Sequence, residues 1–236
     1  MSDTAFSVER LTQLHEEIPG WLIKDHAKGD YRLDRQMFLD PDIFELEMKH
    51  IFEGNWIYVA HESQVPKPHD FLTTKIGRQS VIITRMANGQ IGGFINVCQH
   101  RGARVCWEKR GNKKNFACGF HGWVYNSGGK LVDVPDEKDG GYPESFDHNK
   151  LGLKPVARIE DYRGFIFASL SPDVLPLKEY LAGTRPFIDL LVDQSPVGKL
   201  EILRGATHYN YKGNWKLQAE NGLDGYHPAA THGNYM

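Results

Sequence analysis

Apolar residues in the first 54 positions recur at the spacing of helices rather than that of strands. A weak stripe predicts one helix within residues 1–20, ended by Pro19-Gly20. A second helix is predicted to begin at Asp40-Pro41, because an acid at the N-cap and a proline at the first helical position favour a helix start. Gly54 is expected to end this helix. The apolar faces comprise Leu11, Leu14 and Ile18 in the first helix and Phe44, Met48 and Ile51 in the second.

From Trp56 onward the period of the pattern shortens to that of strands. Short apolar or alternating runs bounded by turn residues predict a series of strands. These strands are Trp56–Ala60, Phe71–Ile76, Val81–Arg85, Ile91–Val97, Asn115–Cys118 and Lys130–Val134. Asn88-Gly89 and Ser127–Gly129 predict tight turns between neighbouring strands. The pattern therefore predicts a small antiparallel all-β domain over residues 38–155.

The rest of the chain mixes helical and strand periods. Residues 135–152 are rich in Pro, Gly and Asp, so they predict a long loop and a domain boundary. The later predicted elements are a strand at Gly164–Leu170, a helix at Leu177–Val192 interrupted by Pro186, a long strand at Leu200–Tyr211 and a mostly helical segment from Trp215 to His232. The fold class predicted for the whole chain is α+β.

Composition and charge narrow the classes of partner. Apolar residues make up 40% and charged residues 25% of the 236 residues, as in soluble globular proteins. The formal net charge of −2 gives no electrostatic reason to expect nucleic acid or an anionic membrane as a partner. No window approaches the roughly 18 apolar residues of a membrane span, and Met1–Arg10 does not resemble a signal peptide. Three cysteines are too few for a disulfide framework, so a reducing cytoplasm is expected.

Two short segments each carry one cysteine and one histidine. Cys98 and His100 are separated by one residue, Cys118 and His121 by two, and 17 residues lie between the pairs. Thiolates and imidazoles can hold either zinc or iron, but common Cys2His2 zinc sites present both cysteines first. One ligand of each type per loop favours a two-iron cluster, in which two thiolates bind one iron and two imidazoles bind the other. Cys106 is left over and is predicted to be a small buried apolar residue.

A second group of candidate ligands lies near residue 230. Asp224 and His227 are three residues apart and are predicted to share a helical face. His227 and His232 are five apart, roughly 140° out of line on a regular helix, so they reach one ion only if the helix bends or ends between them. Pro228 favours such a break. Two histidines and a carboxylate with open positions are typical of non-haem Fe(II) oxygenases. Taken alone, however, two histidines in such a polar segment are more often an ordinary surface or core pair.

The spacing C-x-H-x17-C-x2-H-G-W resembles the Rieske [2Fe–2S] motif, with Cys98, His100, Cys118 and His121 in the ligand positions. The resemblance continues into the second half and covers nearly the whole chain. Gly213–Lys216, Glu220-Asn221 and Asp224–His232 are similar to the mononuclear-iron segment of aromatic-ring-hydroxylating dioxygenase large (alpha) subunits, and Phe52–Trp56, His61–Gln64 and Ile76–Gln79 resemble the benzoate, toluate and anthranilate branch. The chain is similar to the N-terminal portion of such a subunit.

This resemblance implies an α+β architecture in three parts. Residues 1–37 would pack on the catalytic domain, residues 38–155 would form the antiparallel Rieske domain, and residues 156–236 would begin the α+β catalytic domain. The family's carboxylate iron ligand lies downstream of the position that Met236 occupies here. The resemblance therefore implies a partial catalytic domain, and this chain is expected to be inactive by itself.

The same resemblance implies roles for the second group of residues. His227 and His232 would bind a mononuclear Fe(II). Asp224 would be a bridging aspartate, hydrogen-bonded to a ligand histidine of its own iron and to a cluster histidine of the neighbouring subunit. Asn221 matches an asparagine near the iron, and a role on the helix surface is equally compatible with its position.

The implied enzyme adds both atoms of O2 to an aromatic carboxylate and yields a cis-dihydrodiol. Electrons from NADH would pass through a separate reductase to the cluster and then to the iron. The implied assembly contains a small (beta) subunit and is an α3β3 or α3 oligomer. No G-x-G-x-x-G follows a predicted strand, so NADH is not expected to bind this chain.

Two alternatives from other classes remain at this stage. The chain could be a Rieske electron-transfer protein without oxygenase activity, which would contain two irons per chain rather than three. It could also be a zinc-stabilised binding module, which would be colourless. Which aromatic carboxylate is bound does not follow from these residues.

Overall fold

The computed structural model describes residues 7–203, 205 and 209–235. The chain divides into two compact units. One unit runs from Glu47 to Gly205, and the other combines the chain before Glu47 with the chain after Gly205. All strand pairings among the described residues are antiparallel and helices occur in both units, which confirms the predicted α+β class.

The elements are short and follow one another closely. The helices are α1 (Val8–Trp21), α2 (Gln36–Leu39), α3 (Pro41–Glu47), α4 (Leu177–Leu181), α5 (Arg185–Asp193), α6 (Trp215–Leu223) and α7 (Pro228–Thr231). The strands are β1 (Leu22–Asp25), β2 (Asp30–Leu33), β3 (Ile57–His61), β4 (Asp70–Ile76), β5 (Gln79–Arg85), β6 (Ile91–Ile95), β7 (Arg110–Asn112), β8 (Asn115–Ala117), β9 (Val124–Asn126), β10 (Leu131–Asp133), β11 (Arg158–Tyr162) and β12 (Phe165–Ser169). No described helix is long and apolar enough to cross a membrane.

The unit from Glu47 to Gly205 is built on three sheets. The central sheet has the order β6-β5-β4-β7, and smaller sheets have the orders β10-β9-β8 and β11-β12-β3. Successive side chains of a strand point to opposite faces, so the central sheet can bury both faces. Phe71 and Ile82 face the core that contains β8–β10, whereas Leu72 and Ile83 face the core that contains β3 and β12. This two-sided burial fixes the central sheet, whose strands lead into the first cysteine loop.

Seven of the eight predicted strands, all but Leu200–Tyr211, agree with the structure to within about two residues at each end. The predicted turn at Asn88-Gly89 joins β5 to β6, with Gly89 at φ +82°. Ser127–Gly129 joins β9 to β10. Five strands were not predicted, namely β1, β2, β7, β9 and β11. Strands β1, β2 and β7 have only three or four residues, many of them polar, and β9 has three. Such short segments contain too few residues for a period to be recognised.

The first helix ends one residue later than predicted, because α1 includes Pro19-Gly20 and continues to Trp21. A proline removes one backbone donor but does not prevent helical geometry at its own position, so a helix near its C-terminus can include it. Leu14 of the predicted stripe is buried, whereas Leu11 is exposed. The helix begins at the side chain of Ser7, which accepts a hydrogen bond from the Arg10 amide.

The second predicted helix starts where expected but changes its winding before it ends. Asp40 caps α3 by accepting from the amides of Asp42 and Ile43. A π-helical turn at Met48–Phe52 follows, so the predicted face of Phe44, Met48 and Ile51 is wrong in part. Met48 is buried, but Phe44 and Ile51 are exposed and Ile43 takes the inner position. The wider turn shifts the following side chains around the axis, which a 3.6-residue period does not anticipate.

The predicted interruption at Pro186 is also displaced. The break between α4 and α5 lies at Ala182–Thr184, and Ala182 adopts φ +39°. Pro186 is instead the second residue of α5, where its missing amide hydrogen costs no helical hydrogen bond.

The predicted long strand at Leu200–Tyr211 is wrong for the described part of that segment. Residues 200–203, 205 and 209–211 form no strand, and Arg204 and Ala206–His208 lie outside the described residues. An alternating pattern requires a neighbouring strand to become a sheet, and no described strand pairs with this segment. The segment from Trp215 to His232 is mostly helical, as predicted, but it forms two helices separated at Asp224–His227.

We expect acid to destabilise the unit from Glu47 to Gly205 through His61. The ring is 1% exposed, its Nε2 has no hydrogen-bond partner among the described residues, and burial lowers its pKa against an opposing effect of Glu62. As the pH falls, His61 therefore binds a proton in the unfolded chain at a higher pH than in the folded chain. Stability due to a neutral His61 is complete above about pH 6.5 and falls below it, by at most about 1.4 kcal/mol per pH unit.

Urea unfolding of the purified chain at pH 7.5, 6.5 and 5.5 measures this effect. His61→Gln keeps a polar side chain but cannot take up the proton, so its stability should depend less on pH over this range. The exposed His15→Gln variant is the control and should behave as the parent does. Equal pH slopes for the parent and His61→Gln would contradict the expectation.

Candidate metal centres

The first cysteine loop is a tight turn that leaves strand β6. The amide of Cys98 donates to the carbonyl of Ala103 at 2.7 Å, and the amide of Gly102 donates back to the carbonyl of Cys98 at 2.9 Å. Gly102 adopts φ +80°, a conformation that glycine enters without the steric penalty of a side chain. The loop therefore holds both ends of Cys98–Ala103 in a fixed position.

The second cysteine loop repeats this hydrogen-bond frame. Cys118 donates to the carbonyl of Trp123 at 2.8 Å, and Gly122 donates to the carbonyl of Cys118 at 3.0 Å. Gly122 also has a positive φ, +75°. The loop joins β8 to β9. Two loops of equal length and equal closure thus present one cysteine at the start and one histidine within the turn.

The cysteines lie on the interior side of these loops. Cys98 and Cys118 are 3% and 2% exposed and belong to the same apolar core. Burial is the main cause that raises the pKa of the Cys98 thiol, and the adjacent thiol of Cys118 acts in the same direction. Two neighbouring thiols in one apolar core disfavour two free negative charges. Such a pair is suited to binding a cation that neutralises both thiolates.

The histidines lie on the outer side of the loops. The ring centroids of His100 and His121 are 4.5 Å apart, with His121 exposed and His100 half-buried. His100 stacks on Trp123 at 4.9 Å and an interplanar angle of 14°. The Nδ1 atom of His100 is buried and has no hydrogen-bond partner among the described residues. An imidazole nitrogen held without a partner beside a second imidazole is a suitable metal ligand.

Tyr125 is a residue of this site that the sequence reasoning missed. It is fully buried, and its hydroxyl lies 3.2 Å from Cys98 Sγ and accepts from the amide of Gln99 at 3.0 Å. Burial is the main cause that raises the pKa of Tyr125, so its phenol remains a donor toward sulfur. The alternation of Trp123, directly before β9, with Tyr125 inside it was the available signal, since both side chains are buried.

The residues present fit a two-iron cluster better than a single zinc ion. Among the described residues no group of three or more His, Cys, Asp or Glu side chains converges on a single-ion site. A structural zinc requires four ligands around one point. A Rieske cluster instead requires two pairs, with thiolates at one iron and imidazoles at the other. Paired thiols inside and paired imidazoles outside are the two halves of that arrangement, and the assignment of these four residues as ligands remains a prediction.

We expect Tyr125→Phe to lower the reduction potential of a cluster held here. A hydroxyl donor toward a ligand sulfur stabilises the more negative, reduced state, so its loss favours the oxidised state. A change of about 1.4 kcal/mol corresponds to about 59 mV for a one-electron couple, so a shift of tens of millivolts is expected. A redox titration followed by EPR measures it. Tyr142→Phe, at the edge of the same core, is the matched control. An unchanged potential with an intact EPR signal would exclude this role for Tyr125.

The second candidate site lies between α6 and α7. Asp224 follows the last residue of α6 in an extended conformation, so the prediction that Asp224 and His227 share a helical face is wrong. A turn makes the contact instead. Asp224 Oδ2 lies 3.0 Å from His227 Nδ1, and the carboxylate accepts from the amides of Tyr226 at 2.8 Å and His227 at 3.2 Å. These hydrogen bonds, first that of Tyr226, lower the pKa of Asp224.

His227 and His232 flank the short helix α7. His227 precedes Pro228, the first residue of α7, and His232 follows its last residue. Their ring centroids lie 5.5 Å apart, so the break around Pro228 brings the two imidazoles together as expected. Because Asp224 engages Nδ1 of His227, the Nε2 atom remains available to a metal ion. Asp224 does not complete a three-ligand site with the two rings.

Asn221 lies exposed in the last turn of α6. Within the described part of the chain, its side chain forms no hydrogen bond to Asp224, His227 or His232. A role of Asn221 near the iron therefore remains a prediction without a contact that supports it.

Comparison with known proteins agrees with the geometry of both loops. Residues 55–157 match the Rieske [2Fe-2S] domain family. The matched range includes both cysteine loops and all strands from β3 to β10.

Relatives extend the similarity to most of the chain. The alpha subunit of toluate 1,2-dioxygenase from Pseudomonas putida is 54% identical over 90% of this chain and 47% of its own length. The large subunit of 2-halobenzoate 1,2-dioxygenase from Burkholderia cepacia is 49% identical over 90% of this chain and 46% of that subunit. The large subunit of anthranilate 1,2-dioxygenase from Acinetobacter baylyi is 48% identical over 88% of this chain and 44% of that subunit. The chain spans about half the length of the relatives it matches.

A solved structure shows the same fold. Naphthalene 1,2-dioxygenase from a Rhodococcus species, bound to indole, superposes with a TM-score of 0.81 at 31% identity. The superposition covers 95% of this chain and 48% of that one. These matches support a Rieske cluster and a mononuclear iron as the cofactors. The chain therefore contains a Rieske [2Fe–2S] domain over residues 55–157 and is similar over most of its length to the large subunits of Rieske non-haem iron aromatic-ring-hydroxylating dioxygenases.

Proposed function

We propose that this chain forms the electron-receiving part of a terminal oxygenase that dihydroxylates a benzoate-like aromatic carboxylate. The observation that carries the proposal is the pair of matching loops, with two buried thiols in the same core and two adjacent imidazoles toward solvent. Similarity to the toluate, 2-halobenzoate and anthranilate dioxygenase subunits supports an aromatic carboxylate as the substrate class.

The proposed reaction balances with one aromatic carboxylate, one O2, two electrons and two protons. Both oxygen atoms enter the ring, two carbon–oxygen bonds form, and the product is a cis-dihydrodiol. NADH supplies the electron pair through a separate reductase and becomes NAD⁺. When bound, the cluster supplies one-electron storage and the mononuclear iron supplies a place for O2 to react.

The chain's own residues would divide the work between the two centres. Cys98 and Cys118 would anchor one iron in the core, and His100 and His121 would hold the other near solvent, where electrons enter. His227 and His232 would hold the mononuclear iron. The proposed domains are residues 1–37, 38–155 and 156–236, with the last forming the first part of the catalytic domain.

Asp224 would connect the two kinds of centre. Its Oδ2 holds His227 Nδ1, and the side chain remains 46% exposed, so the carboxylate can also accept from an imidazole of a neighbouring subunit. A closed ring such as α3 or α3β3, with a small beta subunit, would place each cluster beside a neighbour's iron.

Iron and visible absorbance of the purified chain test this proposal against its alternatives. A red-brown protein that gives an EPR signal when its cluster is reduced is expected, and a colourless protein would favour zinc. Two irons per chain would favour a pure electron carrier, whereas a third iron that is lost in a His227→Ala and His232→Ala variant would favour the oxygenase. The chain by itself is expected to hold a cluster that an added reductant reduces and an added oxidant reoxidises, without converting benzoate.

A further inference from the structure

We propose that residues 101–114, called here the basic segment, are the docking surface for an acidic one-electron donor protein. The inference rests on the proposed function, because it assigns a partner to the cluster held by the neighbouring loops. One electron leaves the donor, which is oxidised, and reduces the cluster, so no bond forms or breaks. The donor class is a protein with a negatively charged surface around its own redox centre.

The charge of the basic segment differs from that of the whole chain. It contains six basic residues and one acidic residue, whereas the chain carries 28 basic and 30 acidic residues. Arg101, Lys109, Arg110, Lys113 and Lys114 are exposed. A local patch of one sign on a nearly neutral protein attracts a partner of opposite sign and orients it during approach.

Most of these cations form no ion pair with the residues that the structure describes. Lys113 pairs with Glu108, the one acid of the segment. Arg101, Lys109, Arg110 and Lys114 form no ion pair with any described residue. Ion pairs elsewhere in the chain engage the exposed arginines Arg32 and Arg163. Four unpaired cations in one segment leave positive charge available to a partner.

The fold presents the basic segment rigidly. Lys109 and Glu108 accept through their carbonyls from the amide and hydroxyl of Thr73 in β4, at 2.9 Å each. Strand β7 (Arg110–Asn112) pairs with β4 and forms one edge of the central sheet. Because this backbone is already ordered, docking costs little backbone entropy. No slow rearrangement has to precede the encounter, which favours fast association.

The basic segment starts at the imidazole side of the candidate cluster. Arg101 directly follows His100, whose ring lies 4.5 Å from the exposed His121. Exposed apolar rings accompany the charges. Phe120 is 72% exposed and contacts the His121 ring at 4.6 Å, and Trp107 is 72% exposed beneath the Arg104 guanidinium at 4.8 Å. Charges that steer and aromatic rings that contact are what a transient protein interface combines.

The test uses an acidic plant-type [2Fe–2S] ferredoxin, kept reduced by NADPH and its reductase, as the donor probe. Stopped-flow absorbance gives the second-order rate of cluster reduction in the purified chain at low and high salt. Lys109→Glu with Arg110→Glu reverses two charges of the basic segment. Lys178→Glu with Lys199→Glu makes the same charge change at exposed positions elsewhere in the unit from Glu47 to Gly205 and is the matched control.

The reversed variant is expected to be reduced about tenfold or more slowly than the parent at low salt and to lose most of its salt dependence. The control variant should stay within about twofold of the parent. Equal rates for the parent and the reversed variant would overturn the proposal, as would an equal loss in the control. A parent whose rate does not fall with salt would also overturn it.

Dithionite separates this inference from the proposed function. It is a small reductant that needs no docking surface, so it should give every variant the same EPR signal. If dithionite reduces the cluster in all variants but the ferredoxin rates do not differ, the docking surface is wrong and the cluster assignment stands. If no variant holds a cluster, the proposed function fails. In that case, calorimetry measures the affinity of the same ferredoxin for each variant and tests the docking surface without a cluster. The affinity is expected to be weaker for the reversed variant than for the parent.

Discussion

Cys98→Ser should yield a nearly colourless protein that has lost most of its iron, whereas Cys106→Ser should keep both colour and iron. The physical reason is the position of the two thiols. Cys98 lies in the same core as Cys118 and contacts the hydroxyl of Tyr125, where a thiolate can bind iron. A serine hydroxyl is a harder and far less acidic ligand, so it does not replace a thiolate at an iron–sulfur cluster.

Cys106 is a matched control for this experiment because it is equally buried, at 2% exposed, and belongs to the same core. Its Sγ lies 3.4 Å from a Glu108 carboxylate oxygen, and burial is the main cause that raises its pKa to about 11. The prediction that Cys106 is a small buried residue is thus confirmed. Iron content, the visible spectrum and circular dichroism are measured together. A Cys98→Ser protein with a full cluster would refute the ligand assignment.

Asp224→Asn should keep the fold, the cluster and the iron of an assembled oxygenase but slow electron transfer between the centres by roughly two orders of magnitude or more. The carboxylate accepts from His227 and from two backbone amides. An amide of the same shape removes the charge that favours imidazole donors on both sides and offers one acceptor oxygen instead of two. The imidazole of His227 and the cluster imidazole of the neighbouring subunit are then no longer held in fixed positions relative to each other.

A chimera in which this chain replaces the matching region of the toluate dioxygenase subunit provides the complete oxygenase. The cluster is reduced beforehand, and its oxidation is followed in a single turnover with benzoate and O2. Asp173→Asn, an exposed position in the other unit, is the control and should behave as the unmodified chimera. Iron is quantified in each protein, because loss of metal would mimic slow transfer. Cluster oxidation as fast in Asp224→Asn as in the control would exclude the bridging role.

The parts of the site that were predictable are those encoded by neighbouring residues. Each cysteine and its histidine lie within four positions of one another, so ligand type and spacing alone indicate the chemistry. Tyr125 was not predictable in this way. It belongs to β9, yet its hydroxyl bonds Cys98 and Gln99 of the other loop, 27 and 26 residues away in the chain. Only the packing of β9 against the first loop creates that contact.

The fold shows the same limit. Strands with a clear apolar run, such as β4 and β5, were predictable because burial on the central sheet requires such residues. Strand β7 has the sequence Arg-Gly-Asn and pairs only because its neighbour β4 offers a free edge. The converse error is Leu200–Tyr211, whose alternation finds no partner among the described strands. Backbone pairing is a tertiary property, and a local pattern is only one condition for it.

Because all three thiols are buried, the rate at which each is alkylated reports how readily the fold around it opens. Cys98, Cys106 and Cys118 are each at most 3% exposed, so a reagent such as iodoacetamide reaches none of them in the closed fold. In chain freed of metal, modification then requires the core around β8 and β9 to open first. When closing is faster than the chemical step, the labelling rate of each cysteine reports the free energy of the opening that exposes it. Three cysteines in a single core thereby serve as three internal probes of whether that core opens all at once or loop by loop.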